Sequence, residues 1–170
     1  ALAMRAIGLI GPHLQRAYER GDDLVAREAM SMGSLMAGMA MAVARVGGVH
    51  GMAHPLGSQY AIPHGVICGL LLPHVMAYNL PAATEKYAQV AQLMGADIDG
   101  LTVERAAERA VEAVRALVAR IGVPRHLRAF GVTEGALEPI IAESLTQSSL
   151  HHNIRTLGAE DVRAILLAAL

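Results

Sequence analysis

The chain is 170 residues long, with 14 Lys and Arg against 15 Asp and Glu and a formal charge of −1. That is the length of one domain with room for a core, and charge so evenly spread excludes a basic nucleic-acid face or a polybasic membrane surface. A single cysteine, Cys68, excludes an internal disulfide and fits a reducing cytoplasm. Hydrophobic residues make up 54% of the chain, mostly Ala, Leu, Val and Met, the composition of helices buried on several sides. No Lys/Arg-rich leader with a small-residue cleavage site is visible at the start.

In chain order, the pattern predicts helix after helix. Residues 1–19 form the first, with a break expected at Gly11-Pro12. Its periodicity runs from Ala1 without a capping residue, so further chain is expected on the N-terminal side. Gly21-Asp22-Asp23 ends it, and Asp22 or Asp23 can cap a long second helix reaching about Val46. That helix carries five of the nine methionines, Met30, Met32, Met36, Met39 and Met41, among the small residues Gly33, Ser34, Ala37, Gly38 and Ala40. Small residues admit a neighbouring helix and Met fills irregular gaps, so this is expected to be a core helix. Its apolar run, from Ala29 to Ala44, is shorter than the roughly 20 residues of a membrane span.

Gly47-Gly48 breaks the pattern, and a short helix then carries His50 and His54. Gly57 to Ile62 is expected to be a loop. Pro63 suits the first turn of the next helix, which runs to about Asn79 and is expected to kink at Pro73. Pro81 opens a further helix ending near Gly95. After a loop at Asp97–Gly100, Thr102 caps a helix over Val103–Ile121, with Ala106, Ala110, Val114, Leu117 and Ile121 on one side. Arg105, Glu108, Glu112 and Arg115 lie elsewhere on it. Gly122-Val123-Pro124 is a turn, Thr133 caps a segment bent by Pro139, and a last helix spans about Ala159 to Leu170. With no alternating strand and no repeat, residues 1–170 form an all-α, multi-helix bundle.

Three of the eight histidines, His50, His54 and His64, fall within fifteen residues. They lie in a stretch with no charged residue from Val46 to Tyr78. Buried imidazoles in such surroundings need partners, and a metal ion would supply one. His50 and His54, four apart on a helix, share a face. A Gly-containing loop can bring His64 back beside His50, so that two neutral imidazoles face a divalent transition metal, zinc or iron. Position 51 is Gly and no Glu follows, so the zinc-protease H-E-x-x-H pattern is absent. His74, ten residues beyond His64, is too far along one helix to share that metal. Cys68 is expected to be a small buried apolar residue. His13 and His126 fall at surface positions and His151-His152 in a surface turn. Tyr60 either packs in its loop or contacts substrate or a neighbouring domain.

The run Gly48-Val49-His50-Gly51-Met52-Ala53-His54-Pro55-Leu56-Gly57, followed by Tyr60, Pro63-His64-Gly65 and Leu72-Pro73-His74-Val75-Met76, resembles the iron-containing (group III) alcohol dehydrogenases. Gly21-Asp22-Asp23-Leu24, Ala26-Arg27-Glu28-Ala29-Met30, Tyr87, Gly131-Val132-Thr133-Glu134, and Asn153 with Arg155 extend the likeness over essentially all of the chain. The resemblance implies the helical C-terminal metal-binding domain of the dehydroquinate synthase-like fold, which in this family follows an N-terminal α/β domain that binds NAD(P). His50 and His64 match the two metal-ligand histidines of the signature. His54 matches the histidine beside the nicotinamide and substrate, assigned to proton transfer. The implied metal is Fe2+ or Zn2+.

The family's other two ligands, an Asp and a His spaced D-x-x-x-H, have no counterpart in this chain. Nor does its glycine-rich pyrophosphate loop, since Gly47-Gly48-x-x-Gly51 follows a Met-rich helix rather than a strand. The first functional expectation is therefore the catalytic helical domain of a metal-dependent, NAD(P)-linked alcohol dehydrogenase acting on a small alcohol or aldehyde. The second is a truncated, inactive helical module that folds and self-associates, because a surface that docks a further domain is apolar. A metal-storage domain needs more ligands than two histidines supply.

Overall fold

The computed structural model describes residues 1–170. There are eight α-helices and no strand: α1 (Leu2–Glu19), α2 (Leu24–Ala44), α3 (Gly48–Tyr60), α4 (His64–Asn79), α5 (Thr84–Leu93), α6 (Val103–Arg120), α7 (Leu137–Thr146) and α8 (Ala159–Ala168). Four single 3-10 turns join them, at Leu80–Ala82, Leu127–Phe130, Glu134–Ala136 and Leu150–His152. The helices divide between two compact units, one formed by 1–45 with 83–121 and the other by 46–82 with 122–170.

In the first unit α1 lies along α2, and α5 along α6. The α1–α2 approach depends on small residues. A Cβ at Gly33 would stand 2.7 Å from Ile10 Cγ1, and the buried positions of α2 are Ala26, Ala29 and Gly33 alone. The expected break at Gly11-Pro12 does not occur, and α1 passes through Pro12. Gly8 and Gly11 seat that stretch against Leu93 and Met94, and packing there outweighs the lost backbone bond. Of the two candidate caps for α2, Asp23 performs the role, its Oδ1 accepting from the Ala26 N–H at 3.1 Å. Thr102 caps α6 as expected, accepting from Arg105 N–H, and Ala106, Ala110, Val114 and Leu117 are buried.

The sequence reading fails for α2 as a core helix. Met32, Leu35, Met39, Met41 and Val43 are exposed, Val43 at 86%. Composition predicted burial on several sides, whereas one stripe of small residues is all that α2 buries.

The second unit contains the large apolar core. Met52 and Leu56 of α3, Ile67 and Leu71 of α4, Leu137 and Ile140 of α7 and Leu166 of α8 have almost no solvent contact. The run His64–Ala82 is long and apolar enough to cross a membrane by composition, but here Ile67, Leu70, Leu71, Val75 and Met76 face the core. Three further prolines lie inside helices. Pro55 and the buried Pro73 lie within continuous helices. Pro139 is the third residue of α7, in the first turn where a helical N–H has no partner to lose. Arg163 pairs with both carboxylate oxygens of Glu138 and ties α8 to α7.

Candidate metal centre

The site is built at the start of α3 and the start of α4. Helix α3 begins at Gly48 with Gly47 as its cap, and neither residue has a side chain to satisfy the first amides. Asn153 does so from 105 residues away, its Oδ1 accepting from the Gly48 N–H at 3.2 Å. The Asn153 amide also pairs reciprocally with Asn79 at 3.0 and 2.7 Å and donates to Arg155 C=O. Arg155 in turn donates to the Tyr78 carbonyl, with its guanidinium 4.0 Å from the centre of the Tyr78 ring. The approach needs glycine. A Cβ on Gly48 would stand 2.6 Å from Leu157 Cδ1, and one on Gly51 2.9 Å from Leu150 Cδ1 and 3.1 Å from the Leu150 backbone nitrogen. These contacts fix the turn of α3 that carries His50.

Helix α3 continues through Gly57 to Tyr60, so the expected six-residue loop is only Ala61-Ile62-Pro63. Ala61 makes the reversal by adopting φ 51° and ψ 30°, the left-handed region that residues with a Cβ seldom enter. Pro63 then caps α4 and leaves His64 as its first residue. The short turn brings His50 and His64 together with ring centroids 5.2 Å apart and planes inclined by 53°.

Cys68 follows His64 by four residues on α4, which places it on the same face. Its Sγ lies 3.3 Å from His64 Nε2. One donor atom from each of His50, His64 and Cys68 falls within 4.8 Å of the others. Burial, and then the neighbouring His64 ring, hold His50 below the usual histidine value of 6.5. It is therefore neutral near pH 7, the form in which imidazole binds a metal. Burial pushes the Cys68 thiol up from 9.0. Two imidazoles and a sulfur are a donor set for a divalent metal of borderline softness.

His54 lies one turn beyond His50 on α3 but outside that cluster. Its ring is 65% exposed, and its Nδ1 lies 3.3 Å from Glu143 Oε1. Gln59 donates to the other oxygen of Glu143 at 3.0 Å. His74 is half-buried and not in the cluster, and His151 and His152 are exposed on their 3-10 turn. Tyr60 packs against the core.

The sequence reading missed two residues. Cys68 was expected to be inert packing, although its four-residue spacing from His64 was the available signal. Glu143 lies 89 residues from His54, and only the folded chain puts the two side by side.

The sequence model of the Fe-containing alcohol dehydrogenase family, C-terminal, matches residues 1–170. The chain belongs to the Fe-containing alcohol dehydrogenase family. Among curated members of that family, the 1,3-propanediol dehydrogenase of Klebsiella pneumoniae is 44% identical over 169 residues, covering 99% of this chain and 44% of that protein. The lactaldehyde reductase of Escherichia coli K12 is 40% identical, over 95% of this chain and 42% of that protein. In solved structures, a 1,3-propanediol oxidoreductase superposes with a TM-score of 0.97 at 44% identity, over 100% of this chain and 44% of that one. An alcohol dehydrogenase from Oenococcus oeni gives 0.94 at 37% identity, over 98% and 44%. The chain thus spans less than half the length of these family members.

Proposed function

We propose that this chain is the helical domain of a metal-dependent, NAD(P)-linked alcohol dehydrogenase, in which His50 and His64 hold a divalent metal and His54 handles the substrate proton beside the nicotinamide. The observation that carries this reading is the facing pair of imidazoles, 5.2 Å apart, in a chain matched along its full length by the Fe-containing alcohol dehydrogenase family. A cation held there would supply Lewis-acid polarisation of an alcohol or carbonyl oxygen, and NAD(P) the hydride acceptor or donor. The family's description names iron, and imidazole nitrogens suit iron and zinc alike.

The chain's own residues do the rest. The Asn153 clamp and the Ala61 turn hold His50 and His64 so that little reorganisation precedes binding. With Glu143 accepting from the Nδ1–H of His54, the ring's Nε2 keeps its lone pair and is free to take a proton. Gln59 holds the carboxylate in that orientation. No strand is present, so a strand–turn–helix cradle for a dinucleotide pyrophosphate has to come from a second domain joined to this one. The substrate in this reading is a small alcohol or aldehyde, in the cytoplasm, with neither nucleic acid nor membrane as a partner.

A second reading concerns the isolated polypeptide. The exposed apolar residues of α2, among them Leu24, Val25, Leu35, Met39 and Val43, favour a folded module without turnover that self-associates or docks a neighbouring domain through that helix. Metal content and alcohol-dependent NAD(P) reduction distinguish the two when measured on this chain alone and on a polypeptide carrying it behind a nucleotide-binding domain. The longer polypeptide is expected to bind metal and reduce NAD(P), losing both with His64→Ala, and the chain alone to lack turnover. A two-domain protein that binds no metal and is indifferent to His64→Ala overturns the first reading.

A further inference from the structure

We infer that Arg45 is a strained joint that spring-loads the first turn of α3, so that His50 can leave His64 by a local opening while the rest of the helix stays packed. The opening is a property of the backbone. Only its use, as a way for an ion to enter or leave, rests on the reading of His50 as a ligand.

The strain lies in the backbone angles. Arg45 ends α2 at φ 65° and ψ −172°, a region essentially reserved to glycine, where a residue with a Cβ is disfavoured by about 5–150-fold. Only Val46 and Gly47 then separate it from α3. Val46 is β-branched, which rules out positive φ there. Gly47, the residue best able to make the turn, is extended at φ −114°. Gly47 and Gly48 supply clearance instead: a Cβ on Gly47 would stand 3.0 Å from Asn153 Oδ1, and one on Gly48 2.6 Å from Leu157 Cδ1. The positive φ therefore falls to an arginine.

Hydrogen bonds on both sides keep the chain in this state. The Arg45 N–H still donates to the Met41 carbonyl at 2.9 Å, so α2 stays wound up to the strained residue. Beyond it, the Gly48 N–H donates to Asn153 Oδ1 at 3.2 Å, and the N–H groups of His50 and Gly51 both donate to the Gly47 carbonyl, at 3.1 and 3.2 Å. Strain of this kind persists only where the surroundings over-determine it. Relaxing Arg45 swings the Gly47 carbonyl and breaks those bonds, and the Asn153 clamp opposes that movement. Apolar contact holds the turn weakly. Gly48 and Gly51 bring no side chain, Val49 and His50 are half-buried, and Met52 is the first residue of α3 with a large, fully buried side chain. Local openings are drawn from segments with few buried apolar contacts. The opening therefore runs from Val46 to Gly51, stops at Met52, and carries His50 from its place 5.2 Å from His64.

The test is residue-resolved hydrogen exchange of the metal-free 170-residue chain with glycine or alanine at position 45. In ordinary backbone glycine is the less stable of the two, because it gains more freedom when the chain opens. Here the sign should reverse. Arg45→Gly should protect the His50 and Gly51 amides on the order of tenfold more than Arg45→Ala, with the first turn of α6 equal in both. The guanidinium is absent from both variants, so the difference reports the Cβ alone. Asn153→Ala releases the clamp, and in that background the advantage of glycine over alanine should shrink to about twofold or less, since position 45 can then relax in the folded chain. Equal protection in the two variants, or better protection with alanine, means that position 45 is not strained and overturns the inference. A glycine advantage of the same size in the first turn of α6 assigns the exchange to unfolding of the whole chain and overturns the local opening. An advantage unchanged by Asn153→Ala overturns the clamp as what holds the strain, and if that variant fails to fold, the comparison at position 45 decides alone. No metal is present in any arm, so these failures are separate from that of the His50 and His64 reading, which metal binding by the longer polypeptide tests.

Discussion

Helices α2 and α4 are both apolar and both free of charge over most of their length, yet their surroundings differ sharply. Helix α4 buries Ile67, Leu70, Leu71, Val75 and Met76. Helix α2 is longer, at 21 residues against 16, and buries only Ala26, Ala29 and Gly33. What separates them is the size of the residues on the packed face. Small side chains along one stripe of α2 permit a close approach to α1 and leave the larger residues pointing away. In α4 the large residues themselves meet α3 and α8, which anchors the helix whose first two turns present His64 and Cys68. An apolar helix can thus be the scaffold of a site or the uncovered face of a domain, and composition does not say which.

The sharpest way to break this contrast is to truncate one large residue in each helix. Leu71→Ala removes a side chain with no solvent contact and should destabilise the chain by about 2–5 kcal/mol, read from urea unfolding. Leu35→Ala, at a position 59% exposed, should stay within about 0.5 kcal/mol in the monomer. If the cost of Leu35→Ala instead grows with protein concentration, α2 is buried between copies and the contrast holds only for the isolated chain.

How far these features were legible follows the same division. The all-α class, the Asp23 and Thr102 caps and the face of α6 could be read because short-range periodicity and capping chemistry decide them. The pairing of His50 with His64 was legible as well, since one tight reversal between adjacent helices suffices to make it. The uninterrupted course of α1 through Pro12 and of α3 through Gly57 was not, because tertiary packing overrides the local preference there. The exposure of α2 was hidden for a related reason. Five methionines and a small-residue stripe say that a helix is apolar, but whether anything covers its other sides is a property of the assembled chain. Glu143 and Asn153 were beyond reach as partners, their contacts spanning 89 and 105 residues.

Glycines sharpen the contrast at intermediate magnitude. Gly51→Ala in α3 would press a methyl group to within 2.9 Å of Leu150 Cδ1 and 3.1 Å of a backbone nitrogen. Backbone gives way poorly, so a loss of about 1–3 kcal/mol is expected, together with weaker Co2+ binding as His50 is displaced. Gly38→Ala in α2 meets nothing within 4 Å. There the residue lies in the helix interior with open space beside it, so alanine should stabilise the chain by about 0.5–1 kcal/mol. Thermal unfolding of the two variants should therefore move in opposite directions. A destabilising Gly38→Ala would mean that this side of α2 is packed in solution.

The smallest effect concerns how the two helices begin. Helix α4 starts at Pro63, which does not titrate, whereas α2 starts at Asp23, whose carboxylate accepts from the Ala26 N–H and from Arg16. The backbone donor first, and the Arg16 guanidinium second, hold Asp23 below its usual 3.8. A carboxylate depressed in the folded chain contributes stability that is complete above the unfolded value and fades as pH falls through the folded one. The start of α2 should therefore loosen in acid below 3.8, while no corresponding acid step arises at the start of α4. Asp23→Asn keeps an oxygen able to cap the helix and removes the charge, so it should flatten that part of the acid limb by lowering protection near neutral pH towards the level the wild type reaches in acid. Hydrogen exchange resolved along the chain reads this directly: protection in the first turn of α2 should drop with acid in the wild type and hold in Asp23→Asn. An unchanged acid response in the variant would assign the loosening to other carboxylates, such as Glu138 facing Arg163, and remove this distinction between the two helices.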